Sequence, residues 1–357
     1  MCSLNFSRGM YACGLQGQKC FEDSLFSCSD CCVSRINRHL SAVASSRVVL
    51  APMAMPRVRI AVVGDVHDDW DSTKDRRALE VLKPDLVLFT GDFGNENVDL
   101  VHSISKLDLL KAAILGNHDC WYTIPRSSSD AVEAQLESLG NSHIGYSRMD
   151  ISELKLSVIG ARPFSWGGDD FGRTHELLKE RYGIKGLNES ANKISSLALN
   201  APTDHVLVFL GHNGPAGLSS EPSDICGKDW SRTSTGDHGD PDLEMALKNV
   251  KQKGLHNVQL VIFGHMHKQL HLNRGDRTML VRGPDNIIYV NAAVVPRVRN
   301  VSSKSNNTGI TEWETIRNFT IIDVMNNQVT RVAETWIRVG ENDFVDSETI
   351  LYSCMPQ

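Results

Sequence analysis

A chain of 357 residues with 41% hydrophobic and 22% charged residues has the composition of a globular protein and is long enough to bury a large core. Its net charge of -6 gives no global attraction to nucleic acid or anionic membranes, so only a local basic patch would serve either. No stretch approaches the roughly 20 apolar residues of a bilayer span, which predicts a soluble protein with no membrane partner.

Residues 1–56 read differently from the rest. Six of the nine cysteines fall before residue 33, including the C-x-x-C of Cys28 and Cys31. No second pair follows at a zinc-site spacing, so incidental cysteines are the expectation. Cys120, Cys226 and Cys354 are too few for a disulfide framework and point to a reducing compartment. Arg35, Arg38, Arg47 and many serines, with few acids, have the character of an organellar transit peptide. The expectation is therefore a chloroplast protein. The alternative is a disordered tail that stays attached to a cytoplasmic protein.

A folded domain is predicted over 57–340, with 341–357 as a C-terminal tail. It opens on Val58 to Val63, a short β-branched run ended by glycine, the pattern of a buried strand. A helix from Thr73 to Leu82 closes at Pro84, and Asp85 to Thr90 repeats the strand. A helix starting near Val98 leads to a third strand at Leu110 to Leu115. This alternation predicts an α/β fold. Further strands are expected at Leu154 to Ile159, His205 to Leu210, Val258 to Phe263 and Ile287 to Val290. A helix is expected from Thr174 to Leu199. Gly214 to Pro241 has no period and reads as a long loop, a kind of segment that tends to be functional. Ile287 to Val290, and the pair Phe319–Val324 and Val329–Ile337 turning at Asn326-Asn327, read as sheet-edge hairpin material.

The chemistry sits at the strand exits. Gly64-Asp65-Val66-His67, Gly91-Asp92, Gly116-Asn117-His118-Asp119, Gly211-His212 and Gly264-His265-Met266-His267 each follow an apolar run. In open α/β sheets, ligands gather at the carboxyl ends of strands. Carboxylate, imidazole and amide oxygen together are a donor set for divalent metals, and a carboxylate such as Asp92 can bridge two ions roughly 3.5–4 Å apart. Singly, each block has a structural alternative, since Asp65 or Asp92 could cap a helix and His212 could be a turn residue. Their coincidence carries the inference. Asp119 is expected to support its own loop, and His205, His256 and His271 are expected at the surface.

This order of blocks resembles the calcineurin-like metallophosphoesterases, whose signature is Asp-x-His, Gly-Asp, Gly-Asn-His-Asp/Glu, a lone His and Gly-His-x-His. The resemblance implies a four-layer α-β-β-α sandwich of two mixed sheets. It implies one metal held by Asp65, His67, Asp92 and His267, and a second held by Asp92, Asn117, His212 and His265. His118 would face the substrate. The implied activity is phosphomonoester or phosphodiester hydrolysis by metal-activated hydroxide, with His118 as general acid. Without thiolates, the site suits manganese, iron or zinc better than calcium.

Two departures stand out from the serine/threonine protein phosphatases of that superfamily. Gly91-Asp92-Phe93-Gly94-Asn95 lacks the phosphate-clamping arginine, and Asn95 stands where an aspartate would orient the catalytic histidine. A small phosphate ester or nucleotide is thus a better candidate substrate than a phosphoprotein. Substrate-facing charge is expected from Arg162, with Asn95 also near substrate. Arg173, Lys228, Arg232 and His238 are weaker candidates. The competing function is a non-catalytic scaffold that keeps the fold for protein binding.

Overall fold

The computed structural model describes residues 57–123, 130–230, 236–254, 257–284, 286–305 and 311–354. Residues 1–56, where a transit peptide is expected, lie outside them, as do Arg232 and His256. Strand β1 (Val58–Val63) leads through helix α1 (Ser72–Leu82) to β2 (Leu86–Phe89), then through α2 (Val98–Ser105) to β3 (Lys111–Ala113). Both helices begin on a side-chain cap. Asp71 Oδ1 accepts from the amides of Thr73 and Lys74 at 3.0 Å, and Asn97 Oδ1 accepts from Leu100 at 3.0 Å.

Helix α3 (Ala131–Leu139), β4 (Arg148–Ile151) and β5 (Leu156–Gly160) follow, then α4 (His175–Tyr182) and α5 (Leu187–Leu199). The single helix expected over 174–199 is therefore two. Gly183 breaks it in the left-handed region at φ +69°, a conformation that glycine adopts without steric penalty. Strand β6 (Val206–Leu210), α6 (Pro241–Gln252), β7 (Val258–Phe263), β8 (Leu280–Arg282) and β9 (Ile288–Asn291) come next, and β10 (Val298–Ser305), β11 (Thr311–Met325), β12 (Gln328–Val339) and β13 (Phe344–Ser353) finish the chain.

The strands form two mixed sheets. One runs β13-β12-β11-β1-β2-β3, with β10 also on β11, and the other runs β4-β5-β6-β7-β9-β8. Side-chain alternation explains the layering. Ile60 and Val62 of β1 cluster with Val208, Leu210, Leu260 and Ile262 of the second sheet. Their neighbours Ala61 and Val63 cluster instead with helix residues such as Ala78, Leu79, Val101 and Ile104. The core thus lies between the sheets and again beneath the helices, giving four layers.

Three expectations about sheet edges and ends are corrected. The Ile287–Val290 stretch is not at an edge, because β9 lies between β7 and β8. The hairpin at Asn326-Asn327 is not at the sheet edge, because β11 pairs antiparallel with β1, from Val58↔Val324 to Val62↔Thr320. Asp323 disguises this interior position. Its buried carboxylate is held by Arg57 at 2.7 Å and Arg59 at 3.0 Å. Nor do residues 344–353 of the expected C-terminal tail hang free, since β13 pairs with β12 and forms the edge. Phe344, Val345 and Ile350 are about half exposed there, so the segment lacks the apolar alternation that marks a half-buried strand.

Candidate metal centre

All five blocks meet at one end of the two sheets. Asp65 and His67 follow β1, Asp92 follows β2, and Asn117 and His118 lie beyond β3. His212 follows β6, and His265 and His267 follow β7. The loops that carry them are cross-braced by backbone bonds. The His67 amide donates to the Asp92 carbonyl at 2.8 Å, and the Gly264 amide donates to the His212 carbonyl at 2.8 Å. Asp65, His67, Asp92 and His265 all sit at positive φ, between +22° and +67°. Such conformations persist only where surrounding bonds over-determine them, and they concentrate at functional sites. Asp119 supplies much of that bracing, as its sequence position suggests. Its carboxylate accepts from the amides of Asp92, Phe93 and Gly116 at 2.9, 2.9 and 2.7 Å.

The glycine before Asn117 has a steric reason. A Cβ on Gly116 would come within 2.2 Å of Asp92 Oδ1 and 2.5 Å of the His212 ring. Only a residue without a side chain lets these ligands converge.

Three groups of ligand atoms lie within 4.8 Å of one another: Asp65 with His67 and His267, His67 with Asp92 and His118, and Asp92 with His212 and His265. Asp92 Oδ1 is 3.4 Å from His212 Nε2, and its Oδ2 is 3.8 Å from His67 Nε2. Asp92 therefore stands between two clusters, the place a bridging carboxylate occupies. Asn117 Oδ1 lies 2.9 Å from His212 Nε2.

The donor set fits cations for a reason visible at His212. Its Nδ1 lies 2.7 Å from the Thr90 carbonyl, which can only accept, so that nitrogen carries the proton. In the neutral ring, Nε2 then presents a lone pair toward two more oxygens, on Asn117 and Asp92. Acceptors facing acceptors need a positive charge between them. An unmet need shows also at His265 Nε2, which is buried without a hydrogen-bond partner, while the Nε2 atoms of His67 and His267 converge to 3.0 Å.

Electrostatics agree. Burial, with the nearby Asp65 and Asp119 carboxylates, holds the Asp92 carboxyl well above its usual range. Burial pushes the His212, His265 and His267 imidazoles down, keeping them in the neutral form that binds metal. Cations would relieve the carboxylates and use the neutral rings.

His118 is held differently. Its Nδ1 is 2.6 Å from Asn95 Oδ1, its ring stacks on Trp121 at 4.7 Å, and it meets His67 edge-on at 4.9 Å. Burial, followed by the neighbouring His67, lowers its pKa to about 4. The amide oxygen accepts a hydrogen bond from Nδ1–H, which leaves the lone pair of the neutral ring on Nε2. Asn95 thus orients His118, and removing that bond in Asn95→Ala is expected to lower kcat about tenfold. Asn95→Asp is expected to move the basic limb of the pH–rate profile upward, because a carboxylate stabilises the imidazolium. Steady-state kinetics across pH check both.

Arg162 is not a substrate contact. Its guanidinium is fully buried, with Nη2 2.7 Å from Asp240 and Nε 3.1 Å from Asp242, and it lies over the Phe171 ring at 5.1 Å. Its place after a strand end resembled that of the ligands, but its side chain is locked to the helix α6 N-terminus. His205 is also no surface residue, being 3% exposed with Nδ1 2.9 Å from Ser157 Oγ. Arg173 lies over Trp166, and Lys228 over Trp230. His238 meets Trp230 edge-on at 5.2 Å.

A cavity of about 260 Å³ opens over this centre, lined by Asp92, His118, His265, Met266 and His267. Asp229, Trp230, Gln269, His271 and Arg277 complete its wall, and sequence reading did not assign any of them to the site. They come from the irregular 214–240 segment and the turn after β7, where no period or motif marks them.

The calcineurin-like phosphoesterase family model matches residues 58–269, more than half of the chain. A dimetal phosphatase from Danio rerio is similar in structure at 12% identity and a TM-score of 0.42, over 81% of this chain and 98% of that one. The structure of PhoD is similar at 11% identity and a TM-score of 0.46, over 85% of this chain and 73% of that one. No curated protein matches the chain. With the family's five blocks drawn into one centre and its sequence model spanning them, the chain belongs to the calcineurin-like phosphoesterase family.

Proposed function

We propose that this phosphoesterase hydrolyses a small phosphate ester in the cavity above the five blocks. Asp65, His67, Asp92 and His267 would hold one cation, and Asp92, Asn117, His212 and His265 the second. Manganese, iron or zinc suits this mixture of imidazole and oxygen. When bound, a metal pair supplies an acidified water and charge to offset that developing on the phosphoryl oxygens. His212 carries the reading most directly, because its Nε2 faces two oxygen acceptors across a buried gap.

The protein's own contribution is placement and proton control. Asp92 positions both clusters from a buried site, and its Oδ1 also accepts from the His118 amide at 2.9 Å. Asn95 fixes the His118 tautomer and leaves Nε2 to protonate the leaving oxygen. A phosphate dianion beside the ring opposes the effect of burial and favours the imidazolium that this transfer needs.

The purified chain is expected to hold close to two metal ions and to hydrolyse p-nitrophenyl phosphate or its bis ester. Chelation should remove that activity, and Mn²⁺, Fe or Zn²⁺ should restore it. Loading should also raise the melting temperature by several degrees, as binding only the folded state requires. Elemental analysis, calorimetry and the two esters make the test. A metal-free protein that turns over neither ester and binds a protein partner tightly would establish the scaffold reading instead.

A further inference from the structure

The cavity wall contains one arginine, and nearly all of its donors are engaged. Arg277 donates from Nε to the His267 carbonyl at 3.0 Å. Its Nη1 serves the carbonyls of Pro222, Asp224 and Gly227 at 2.9, 2.8 and 2.6 Å. Only Nη2 remains, and it faces Asp229 Oδ1 at 3.4 Å. The other oxygen of Asp229 accepts from the His271 amide at 2.6 Å, so the carboxylate is held from both sides. Among the described lining residues, Arg277 is the only lysine or arginine.

The geometry points to Asp229 as a specificity-determining residue: it cancels the charge of Arg277 at the cavity wall and so restricts the site to phosphate esters whose leaving group carries no negative charge. This rests on the reading of the cavity as a phosphoester site. The guanidinium is not available as a phosphate clamp, because four carbonyls and Asp229 surround it. An anionic leaving group entering this wall loses its water and meets a neutral pair, so nothing replaces its hydration. Trp230 stands next to Asp229 on the same wall and is 48% exposed. An indole face and a neutralised ion pair suit an uncharged, flat or apolar group.

Removing the negative charge should leave the Arg277 guanidinium uncompensated at the cavity wall. The experiment compares 4-carboxyphenyl phosphate with phenyl phosphate on the metal-loaded full-length chain, in the wild type and in Asp229→Asn. The quantity read is the ratio of the two kcat/KM values, which cancels differences in folded fraction and metal content. That ratio is expected to rise about tenfold in Asp229→Asn. Asp229→Glu, which keeps the charge, should stay within about twofold of the wild type. The same shift should appear without turnover in calorimetric Kd values for 4-carboxyphenylphosphonate against phenylphosphonate. If Asp229→Asn does not fold, Asp229→Ser retains an acceptor for the His271 amide and gives the same comparison. Unchanged ratios in both kinetics and binding overturn the proposal. A wild type that hydrolyses neither ester, yet shows the binding shift, would leave the charge selectivity standing and remove the phosphoesterase reading.

Discussion

Replacing Asp92 with asparagine is expected to lower metal-stimulated phosphoester hydrolysis by a factor of about 10³ or more while leaving the fold intact. Asp92 is the carboxylate common to two ligand groups, 3.4 Å from His212 Nε2 and 3.8 Å from His67 Nε2. Asparagine has the same shape and keeps an oxygen for the His118 amide, so the local loop survives. What it loses is the negative charge that can be shared between two cations. The fold should tolerate this well, because burial and the Asp65 and Asp119 carboxylates already hold the Asp92 carboxyl well above its usual range.

The sign of the pH effect follows. A carboxyl raised on folding binds its proton more tightly in the native state, so stability is lost as pH rises through the native pKa. Asparagine has no proton to lose. The metal-free variant should therefore be at least as stable as the metal-free wild type above neutral pH, while binding fewer than two ions. Elemental analysis and thermal unfolding with and without Mn²⁺ read both quantities. Full metal content with activity within tenfold of the wild type would remove Asp92 from its assigned place.

The site was more legible in the sequence than the wall around it, and the reason is physical. Metal ligands need specific donors at strand ends, with glycines where side chains would block convergence, so Gly64-Asp65, Gly116-Asn117 and Gly264-His265 leave a compact signature. Charge-neutralising and stacking residues obey no such spacing. Asp229, Trp230 and Arg277 reach the cavity through irregular segments, and only the fold brings them beside His267. The same asymmetry holds for the architecture. Interior strands buried on both faces, such as Val58–Val63 and Val258–Phe263, announce themselves as largely apolar runs. Strand β11 carries Asp323 near its C-terminal end, and β13 is half exposed, so neither shows its place in the sheet by pattern alone.

Arg162 shows the limit of position-based assignment, and its replacement tests the correction. Arg162→Met keeps the length of the side chain and removes its charge, leaving Asp240 and Asp242 buried without their cation. Breaking a buried pair from one side costs about 3–5 kcal/mol, a large share of the roughly 5–15 kcal/mol by which such proteins are stable. The effect should depend on pH. Burial already raises the folded Asp240 carboxyl to about 6 from its ordinary 3.8, against the lowering pull of Arg162. Between those values the folded state holds more protons than the unfolded state, so stability falls as pH rises through that window.

Without Arg162 the carboxyl is raised further, and the window extends upward. The difference between variant and wild type should thus be smaller near pH 4, where the folded acid is protonated in both, and should grow as pH rises above about 6, where only the wild-type carboxyl ionises readily. Urea unfolding at both ends measures it. KM, which does not depend on the folded fraction, should stay within about twofold of the wild type, because the guanidinium is sealed against Asp240, Asp242 and Phe171. A substrate-binding arginine would give the opposite pair of results. KM would rise, and stability would stay where it was at every pH.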